Sequence, residues 1–202
     1  MPRNAFPQRL VALGADGADI LYHLGVWSKV AGITAFYKPP PGAEAKPRVS
    51  GFSSGKIEAI LKLQPDLVIT STDVQHQLAS DLIKAGVSVL ALNSRNIAEI
   101  YETILNLGQL VRQTGRASRL VARLKRDLQP VETNGSPRPR VYFEEWPEPL
   151  ITGIGWVSEL IERAGGTDIF AELRREKSAS ARVVTPDEVL ARAPELPSGA
   201  SI

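Results

Sequence analysis

Short apolar runs alternate with helical patterns through the first half of the chain, and this alternation constrains the fold more than any other feature. The apolar runs predict strands, which cover residues 9–14, 29–34, 66–71 and 87–93. The patterns between them predict helices over residues 18–25, 56–64 and 75–86. Strands with almost no polar alternation are buried on both faces, as in a parallel sheet covered by helices. The sequence therefore predicts an α/β fold.

A long helical region and a linker divide the remainder of the chain. From Asn96 to Leu128 the apolar residues keep a helical period, which Thr114–Gly115 interrupts. Residues 133–139, TNGSPRP, form a linker, and a new strand is predicted over residues 140–146. A length of 202 residues is compatible with two small lobes. We predict an N-terminal α/β lobe over residues 1–114, a connecting helix and linker over 115–136, and a partial C-terminal α/β lobe over 137–202.

Composition excludes several classes of function. The net charge of +2 is too small to indicate a nucleic-acid partner, so none is expected. The absence of cysteine excludes disulfides, thiolate metal sites and a cysteine nucleophile. No apolar run reaches the roughly 18 residues that a spanning helix needs, and the N-terminus MPRNAFPQRLVAL has no visible signal peptide. The chain as written is expected in the cytoplasm, or it is a mature or shortened form of an exported protein.

Arginines recur at four-three spacing in the second half of the long helical region. Such a stripe is compatible with a face that binds nucleic acid or a membrane, and also with a solvated face opposite the leucines. The solvated face is the simpler interpretation. The residues are Arg112, Arg116, Arg119, Arg123 and Arg126.

The stretch VYFEEWPEPLITGIGWVSELIERAGG, residues 141–166, combines several glutamates with two tryptophans. A pair of catalytic carboxylates must flank one bond, and one of the two must have a raised pKa. In a regular strand Glu144 and Glu145 point to opposite faces, so together they cannot flank one bond. We therefore predict that the protein is not an enzyme. The alternative from another class is a small α/β hydrolase that uses Glu144, Glu145 and Glu148.

Two segments in different halves of the chain echo each other. KIEAILKLQPDL (residues 56–67) and TPDEVLARAPEL (residues 185–196) both read as a short amphipathic helix that a proline stops just before a strand. At a constant offset, Glu58 matches Asp187 in the first turn of each helix. An acidic residue there is favourable for the helix dipole, which accounts for one instance. Two instances suggest two similar lobes that present the same feature.

Four pieces of the sequence together resemble a known family. They are ADILYHLG, KPRVSGFSSGKIEAILKLQPDLVI, RVYFEEW followed by LITGIGWVSELIERAGG, and VVTPDEVLARAPEL. Their order and spacing resemble the periplasmic binding proteins that deliver cobalamin, ferric siderophores or haem to ABC importers. The resemblance runs from about Arg9 to Leu196 and is strongest to the cobalamin-binding members.

The resemblance implies both a fold and a function. It implies two Rossmann-like lobes with parallel sheets, joined by a rigid helix, and a ligand in the cleft between them. The function it implies is the substrate-binding component of an ABC importer, a periplasmic or extracytoplasmic monomer whose partner is the membrane permease. No resident cofactor and no protein-held metal are expected, because the metal would arrive within the transported chelate. Cobalamin is the first candidate ligand, and a ferric siderophore or haem is the alternative.

The resemblance also assigns the permease contacts and shows a departure from the family. By position, Glu58 and Asp187 are the acidic residues that dock onto permease arginines. The family continues past APEL with further α/β units, whereas this sequence reads PSGASI and stops. The second lobe is therefore expected to be incomplete, with only one or two strands. A shortened relative that no longer transports a ligand is a further alternative.

The predicted ligand site combines a general rule with family position. In open α/β sheets, ligands bind beyond the carboxyl ends of the strands, where Phe36, Tyr37, His76 and Trp146 are predicted. Trp156 opens the next helix on the same side, and family position adds Phe52. Aromatic rings there could stack on a flat ligand, although they could instead fill the core. Trp27 is predicted to be a packing residue, and Arg48 is the one cation that an anionic siderophore would use.

Overall fold

The structure of the chain, a computed structural model, describes residues 5–199. They form two compact units. The first unit comprises the residues up to Ser94 together with Tyr101–Ala122, and the second comprises Arg95–Ile100 together with the residues from Arg123 onward. The lobe boundaries at residues 114 and 136 remain predictions.

The first unit contains a five-stranded parallel sheet, so the α/β prediction is confirmed. Its spatial order is β3-β2-β1-β4-β5. Every predicted strand is present, and one more, at residues 48–50, follows the prolines at positions 39–41 and 47. The strands are β1 (Leu10–Ala12), β2 (Val30–Thr34), β3 (Arg48–Ser50), β4 (Leu67–Thr70) and β5 (Val89–Ala91).

Three helices pack on this sheet, as the periodicity predicts: α1 (Ala15–His23), α2 (Ile57–Lys62) and α3 (His76–Lys84). Helices α1 and α3 end at glycines, Gly25 and Gly86, whose positive φ angles of 74° and 80° suit a residue without a side chain. A buried apolar core joins the sheet to α2 and α3. Its members are Val11, Leu13, Val49, Ile60, Val68, Leu78 and Leu82.

The long helical region is two helices, α4 (Ile97–Leu110) and α5 (Thr114–Asp127). The break occurs at Arg112, which has a positive φ of 60°, just before the predicted Thr114–Gly115. Helix α5 buries Ala117 and Val121. Its arginines are exposed, as a solvated face requires.

The second unit contains four strands among the residues that the structure describes, rather than the one or two expected. Strand β6 (Arg140–Pro147) pairs in parallel with β8 (Thr167–Asp168) and β9 (Leu196–Gly199). Strand β7 (Leu150–Thr152) pairs with β6 in the antiparallel direction. The sheet is therefore mixed rather than parallel, because the chain reverses in a tight turn after Pro147 instead of crossing over through a helix.

Helices α6 (Gly155–Arg163) and α7 (Pro186–Ala191) complete the second unit, with single 3₁₀ turns at Ala171–Arg175 and Ala179–Arg182. The core is small. Its buried members are Tyr142, Ile169, Phe170 and Val184.

The sequence echo extends to the backbone. Helices α2 and α7 are both six residues long, and each leads into a parallel strand. Each ends at a residue in the left-handed region, Gln64 with φ 48° and Ala193 with φ 42°. A proline follows directly in both cases. Because few non-glycine residues adopt positive φ, this shared ending makes the two segments the same local structure.

Candidate ligand-binding site

Two exposed aromatic rings lie side by side at the carboxyl ends of neighbouring strands in the first unit. Phe36 follows β2, Phe52 follows β3, and their ring centroids are 6.1 Å apart in an edge-to-face arrangement. The two residues are 56% and 54% exposed. Single exposed aromatics are common, but an adjacent pair at the edge where α/β sheets bind ligands indicates a binding surface. The structure thus brings together two of the predicted ligand residues.

A buried glutamine holds the segment that carries Phe52. Gln75 is 3% exposed, and its side-chain nitrogen donates hydrogen bonds to the carbonyl oxygens of Leu13, at 2.8 Å, and Phe52, at 2.9 Å. Its side-chain oxygen accepts from the backbone N–H of Ser71 at 2.9 Å. One side chain therefore ties the ends of β1 and β4 to the turn after β3. Sequence reasoning chose its neighbour His76 and gave Gln75 no role.

An arginine holds the segment that carries Phe36. Nη1 of Arg48 lies within hydrogen-bond distance of three backbone carbonyl oxygens: 3.3 Å from Thr34, 2.7 Å from Ala35 and 2.9 Å from Tyr37. The guanidinium therefore fixes the turn after β2. Arg48 was the cation predicted to serve an anionic siderophore, but its guanidinium contacts these carbonyl oxygens instead.

Tyr37 occupies a different environment from Phe36. It is 7% exposed, its ring centroid lies 6.0 Å from that of Trp27, and its hydroxyl donates to Asp19 Oδ1 at 3.1 Å. Burial, followed by the charge of Asp19, raises the pKa of Tyr37. This ring offers almost no surface to a ligand, contrary to the sequence prediction. Trp27 is also buried and donates to the Glu44 carbonyl at 2.8 Å, which confirms its packing role.

Two polar side chains lie near the same edge of the first unit. His76 is exposed at the start of α3, with Nδ1 2.9 Å from the Asp73 carbonyl oxygen, and its contact with a ligand remains a prediction. Asp16 accepts a hydrogen bond from Ser71 Oγ at 3.0 Å.

Crowding around Asp16 has an electrostatic consequence. A Cβ atom at Gly14 would lie only 2.4 Å from Asp16 Oδ1. Asp16 as a residue is exposed, but neighbouring protein groups displace water from its carboxyl group. This desolvation raises the pKa of Asp16 despite hydrogen bonds from Gly17 and Ser71, which lower it. Among the described residues, no group of three or more histidine, aspartate or glutamate residues could hold a metal ion.

In the second unit, the predicted tryptophans lie at the end of β6 and the start of α6. Trp146 is 43% exposed, and its indole nitrogen donates to the Glu148 carbonyl at 3.0 Å. Trp156 is half-buried in the first turn of α6. Their contacts with a ligand remain predictions.

A buried ion pair lies next to Trp146. Arg182 is 2% exposed, and its Nη1 donates to Glu145 Oε2 and to the Thr152 carbonyl, both at 2.5 Å. Glu145 Oε2 also accepts from the backbone N–H of Ile154 at 3.1 Å. This carboxylate thus holds together β6, β7 and the residues that lead into α6. No sequence motif signals Arg182, which lies 37 residues from Glu145.

The ion pair decides how the glutamate cluster should be interpreted. Glu145 is engaged with a buried guanidinium, Glu144 is half-buried in β6, and Glu148 is exposed in the turn. A general acid or base must be able to exchange its proton with a substrate. The arrangement assigns Glu145 to the structure of the second unit rather than to proton transfer.

The two predicted docking residues are both exposed. Glu58 lies in the first turn of α2 and Asp187 in the first turn of α7. In α7 the cap is formed by other residues: Glu188 N–H donates to Thr185 Oγ1 at 3.2 Å, and Thr185 N–H donates to Glu188 Oε2 at 2.7 Å. Asp187 is therefore not needed for this cap.

Comparison with known proteins decides the family. A sequence family described as periplasmic binding protein matches residues 10–196. The chain belongs to this family. Its members are binding proteins, which agrees with the assignment of Glu145 to the structure.

A cobalamin-binding protein of Halobacterium salinarum is 27% identical over 179 residues, which are 85% of this chain and 48% of that protein. The chain thus spans about half the length of this curated relative.

No helix among the described residues has the length and apolar character needed to span a membrane.

Solved structures show the same fold. The vitamin B12-binding protein of Vibrio cholerae has a TM-score of 0.76 at 23% identity, covering 96% of this chain and 77% of that one. A periplasmic heme-binding protein from Roseiflexus sp. RS-1 has a TM-score of 0.75 at 22% identity, covering 95% and 76%. At these identities the similarity establishes the fold and leaves the ligand open.

Proposed function

We propose that the protein is the substrate-binding component of an ABC importer, that it acts outside the cytoplasm, and that it captures cobalamin or a related metal chelate. The observation that carries this proposal is the exposed Phe36–Phe52 pair at the carboxyl edge of the first sheet. Membership of the periplasmic binding protein family and similarity to a cobalamin-binding protein support it.

The aromatic pair suits a large ligand with flat or apolar surfaces. If such a ligand covered about 100 Å² of apolar ring surface, the burial would contribute about 2.5 kcal/mol. Phe36 and Phe52 sit on segments already fixed by Arg48 and Gln75. Binding would therefore order few further groups, which lowers its entropic cost.

The proposal extends to the second unit through family position. By that position Trp146 and Trp156 are proposed as ligand-binding residues, and the Glu145–Arg182 pair fixes the backbone near them. No catalytic step is proposed, because Glu145 is already engaged with Arg182 and a backbone amide.

The permease contact is assigned to Glu58 and Asp187. Both carboxylates are exposed in the first turn of matching helices, so arginines of a permease could reach them. Charge complementarity of this kind mainly sets orientation and the rate of association.

Tryptophan fluorescence and calorimetry test the proposed ligand. The full chain is titrated with cyanocobalamin, haemin and a ferric siderophore, and a solution of free N-acetyltryptophanamide corrects for light absorbed by each ligand. We expect saturable quenching by cyanocobalamin, and a matching heat of binding by isothermal titration calorimetry. A Trp27→Phe variant should retain the quenching, because Trp27 is buried and hydrogen-bonded to the Glu44 carbonyl, whereas Trp146 is 43% exposed.

The three ligands separate the possible outcomes. Saturation by haemin or the siderophore alone would keep the importer function and replace cobalamin as its ligand. No saturable binding of any of the three, with a native circular dichroism spectrum, would overturn the proposal.

A further inference from the structure

A groove with many cations lies within the second unit. Its volume is about 750 Å³, and it is bordered by the start of α4, by helix α6, and by the end of the 3₁₀ turn at Ala171–Arg175 with the residues that follow it. We call it the basic groove. Its cations are Arg95, Arg138, Arg163, Arg174, Arg175 and Lys177.

The carboxylates of the basic groove mostly serve other purposes. Glu99 accepts hydrogen bonds from the backbone N–H of Arg95 at 2.6 Å and from the Asn96 side chain at 2.7 Å. Glu159 accepts from the backbone N–H of Ile97 at 2.9 Å. These two carboxylates therefore satisfy N–H groups around the start of α4, a role that a helix start requires.

Three cations of the groove have no partner among residues 5–199. Glu162 pairs with Arg174 at 3.0 Å, and Arg163 donates to the Leu128 carbonyl at 2.7 Å. The side chains of Arg138, Arg175 and Lys177 make no hydrogen bond or ion pair within this described part of the chain. With three lining carboxylates against six cations, the groove carries a formal excess of three positive charges.

This excess is a property that a ligand could use. Cations that share a concave surface repel one another and create a positive potential, which a bound anion relieves. Arginine presents paired N–H donors that match the oxygens of a phosphate group. The volume of the groove lies within the range of about 300–1,000 Å³ that is usual for small-molecule sites.

We propose that the basic groove binds a small molecule that carries at least two phosphate groups. A single phosphate brings about two negative charges at neutral pH, fewer than the three in excess in the groove. Nine of the twelve residues that line the groove are charged, so the phosphates are the groups of the ligand that it would recognise. The site contains none of the aromatic ligand residues and neither docking residue, so it is separate from the proposed importer function.

The phosphates could belong to a free molecule or to a lipid headgroup. Tripolyphosphate is the soluble probe, and orthophosphate tests the need for more than one group. Vesicles of phosphatidylcholine with and without cardiolipin, a lipid with two phosphates, test the membrane source. Binding of tripolyphosphate but not vesicles assigns a free ligand, and binding of cardiolipin vesicles assigns a headgroup.

Matched triple variants of the full chain locate the binding. Arg138→Gln, Arg175→Gln and Lys177→Gln together neutralise the unpartnered cations of the groove. The control combines Arg119→Gln, Arg123→Gln and Arg126→Gln, which removes the same charge from exposed positions of α5 outside the groove. By calorimetry at about 150 mM salt, where long-range attraction is screened, we expect at least tenfold weaker tripolyphosphate binding in the groove variant. The control should change less than twofold.

Two results would overturn the assignment. They are the absence of saturable binding to either tripolyphosphate or cardiolipin vesicles, and an equal loss of binding in both triple variants. Because all the substituted side chains are exposed, both variants should keep the circular dichroism spectrum of the wild type. Cyanocobalamin titration of the groove variant should match the wild type, so failure at one site is distinguished from failure at the other.

Discussion

The side-chain amide of Gln75 donates a hydrogen bond to the carbonyl oxygen of Phe52 at 2.9 Å, so a buried polar group sets the position of an exposed aromatic ring. The two residues are 23 positions apart in the chain. The glutamine also bonds the ends of two central strands. The candidate site of the first unit is therefore fixed from beneath by the core.

Replacing Gln75 should weaken both folding and ligand binding. Gln75→Leu removes three hydrogen bonds to the backbone groups of Leu13, Phe52 and Ser71, and the Leu13 carbonyl keeps only a longer one from Ser50 Oγ at 3.4 Å. Unsatisfied buried groups cost about 1–3 kcal/mol each when no water reaches them, so a loss of roughly 2–4 kcal/mol in unfolding free energy is expected. Urea unfolding measures it, and cyanocobalamin titration in the absence of urea reports the effect on the site.

The neighbouring glutamine provides the control for this variant. Gln77 is exposed on α3 and donates to Asp81 at 3.0 Å. Gln77→Leu should change the unfolding free energy by less than about 0.5 kcal/mol. Equal effects of the two substitutions would mean that Gln75 has no special role beneath Phe52.

The buried ion pair of the second unit should respond asymmetrically to substitution. Glu145→Gln leaves the guanidinium of Arg182 buried beside a neutral group, whereas Arg182→Met leaves a carboxylate that is partly open to water. Removing one partner of a fully buried pair costs about 3–5 kcal/mol. Because this pair is partly exposed, we expect Glu145→Gln to lower the unfolding free energy by roughly 2–4 kcal/mol. Arg182→Met should lower it by less.

A double-mutant cycle checks the coupling of Glu145 and Arg182. Measured by urea unfolding, the double variant should lose clearly less stability than the two single variants together, because neither charge remains without its partner. Strict additivity would contradict the pairing. The hydrolase alternative is tested on the same variant. It would be supported if the wild type hydrolysed a substrate and Glu145→Gln lost that activity.

The sequence predicted the first sheet well because its signals are local. The apolar runs match the observed strands, and Phe36 and Phe52 fall at strand ends, where a general rule places ligands. Strand β3 was not predicted because it is three residues long and directly follows a proline. The second sheet was underestimated for the same reason, since β7 and β8 have three and two residues.

The supporting side chains could not be read from the sequence. Gln75 acts on a carbonyl 62 residues away, and Arg182 on a carboxylate 37 residues away. Both contacts depend on how the strands are ordered in space, which no local pattern reports. Tyr37 was assigned to the ligand for a related reason: it follows Phe36 directly, and only the packing against Trp27 separates their environments.

The aromatic pair should matter for binding and little for folding. Because each residue is more than half exposed, Phe36→Ala or Phe52→Ala should lower the unfolding free energy by about 1 kcal/mol or less. Each should weaken the binding of the ligand identified by titration by about tenfold, which corresponds to about 1.4 kcal/mol. Tyr37→Phe serves as the comparison, since its buried ring should leave affinity unchanged. If affinity is insensitive to Phe36 and Phe52, the binding surface lies elsewhere.

Asp16 should give the first unit a pH dependence of a defined sign. Desolvation raises its pKa above the ordinary value of 3.8 in the folded state. As pH rises, the unfolded chain therefore releases this proton first, so the contribution of Asp16 to stability is full below 3.8 and is lost as pH passes the raised pKa. Asp16→Asn cannot titrate. Its melting temperature should rise relative to the wild type as pH increases from about 3.5 to about 7.

A second aspartate provides the contrast that makes the Asp16 measurement specific. Hydrogen bonding from Gln77, then Lys84, lowers the pKa of Asp81, so its contribution is present at high pH and lost as pH falls. Asp81→Asn should therefore shift the melting temperature in the opposite direction over the same pH range.

Carboxyl ¹³C chemical shifts, followed by NMR during a pH titration, measure the pKa of Asp16 and of Asp81 directly. A midpoint for Asp16 at or below 3.8 would contradict the prediction that desolvation outweighs the hydrogen bonds to this carboxylate. Ser71→Ala, which removes a hydrogen bond that favours the ionised form, should move that midpoint still higher.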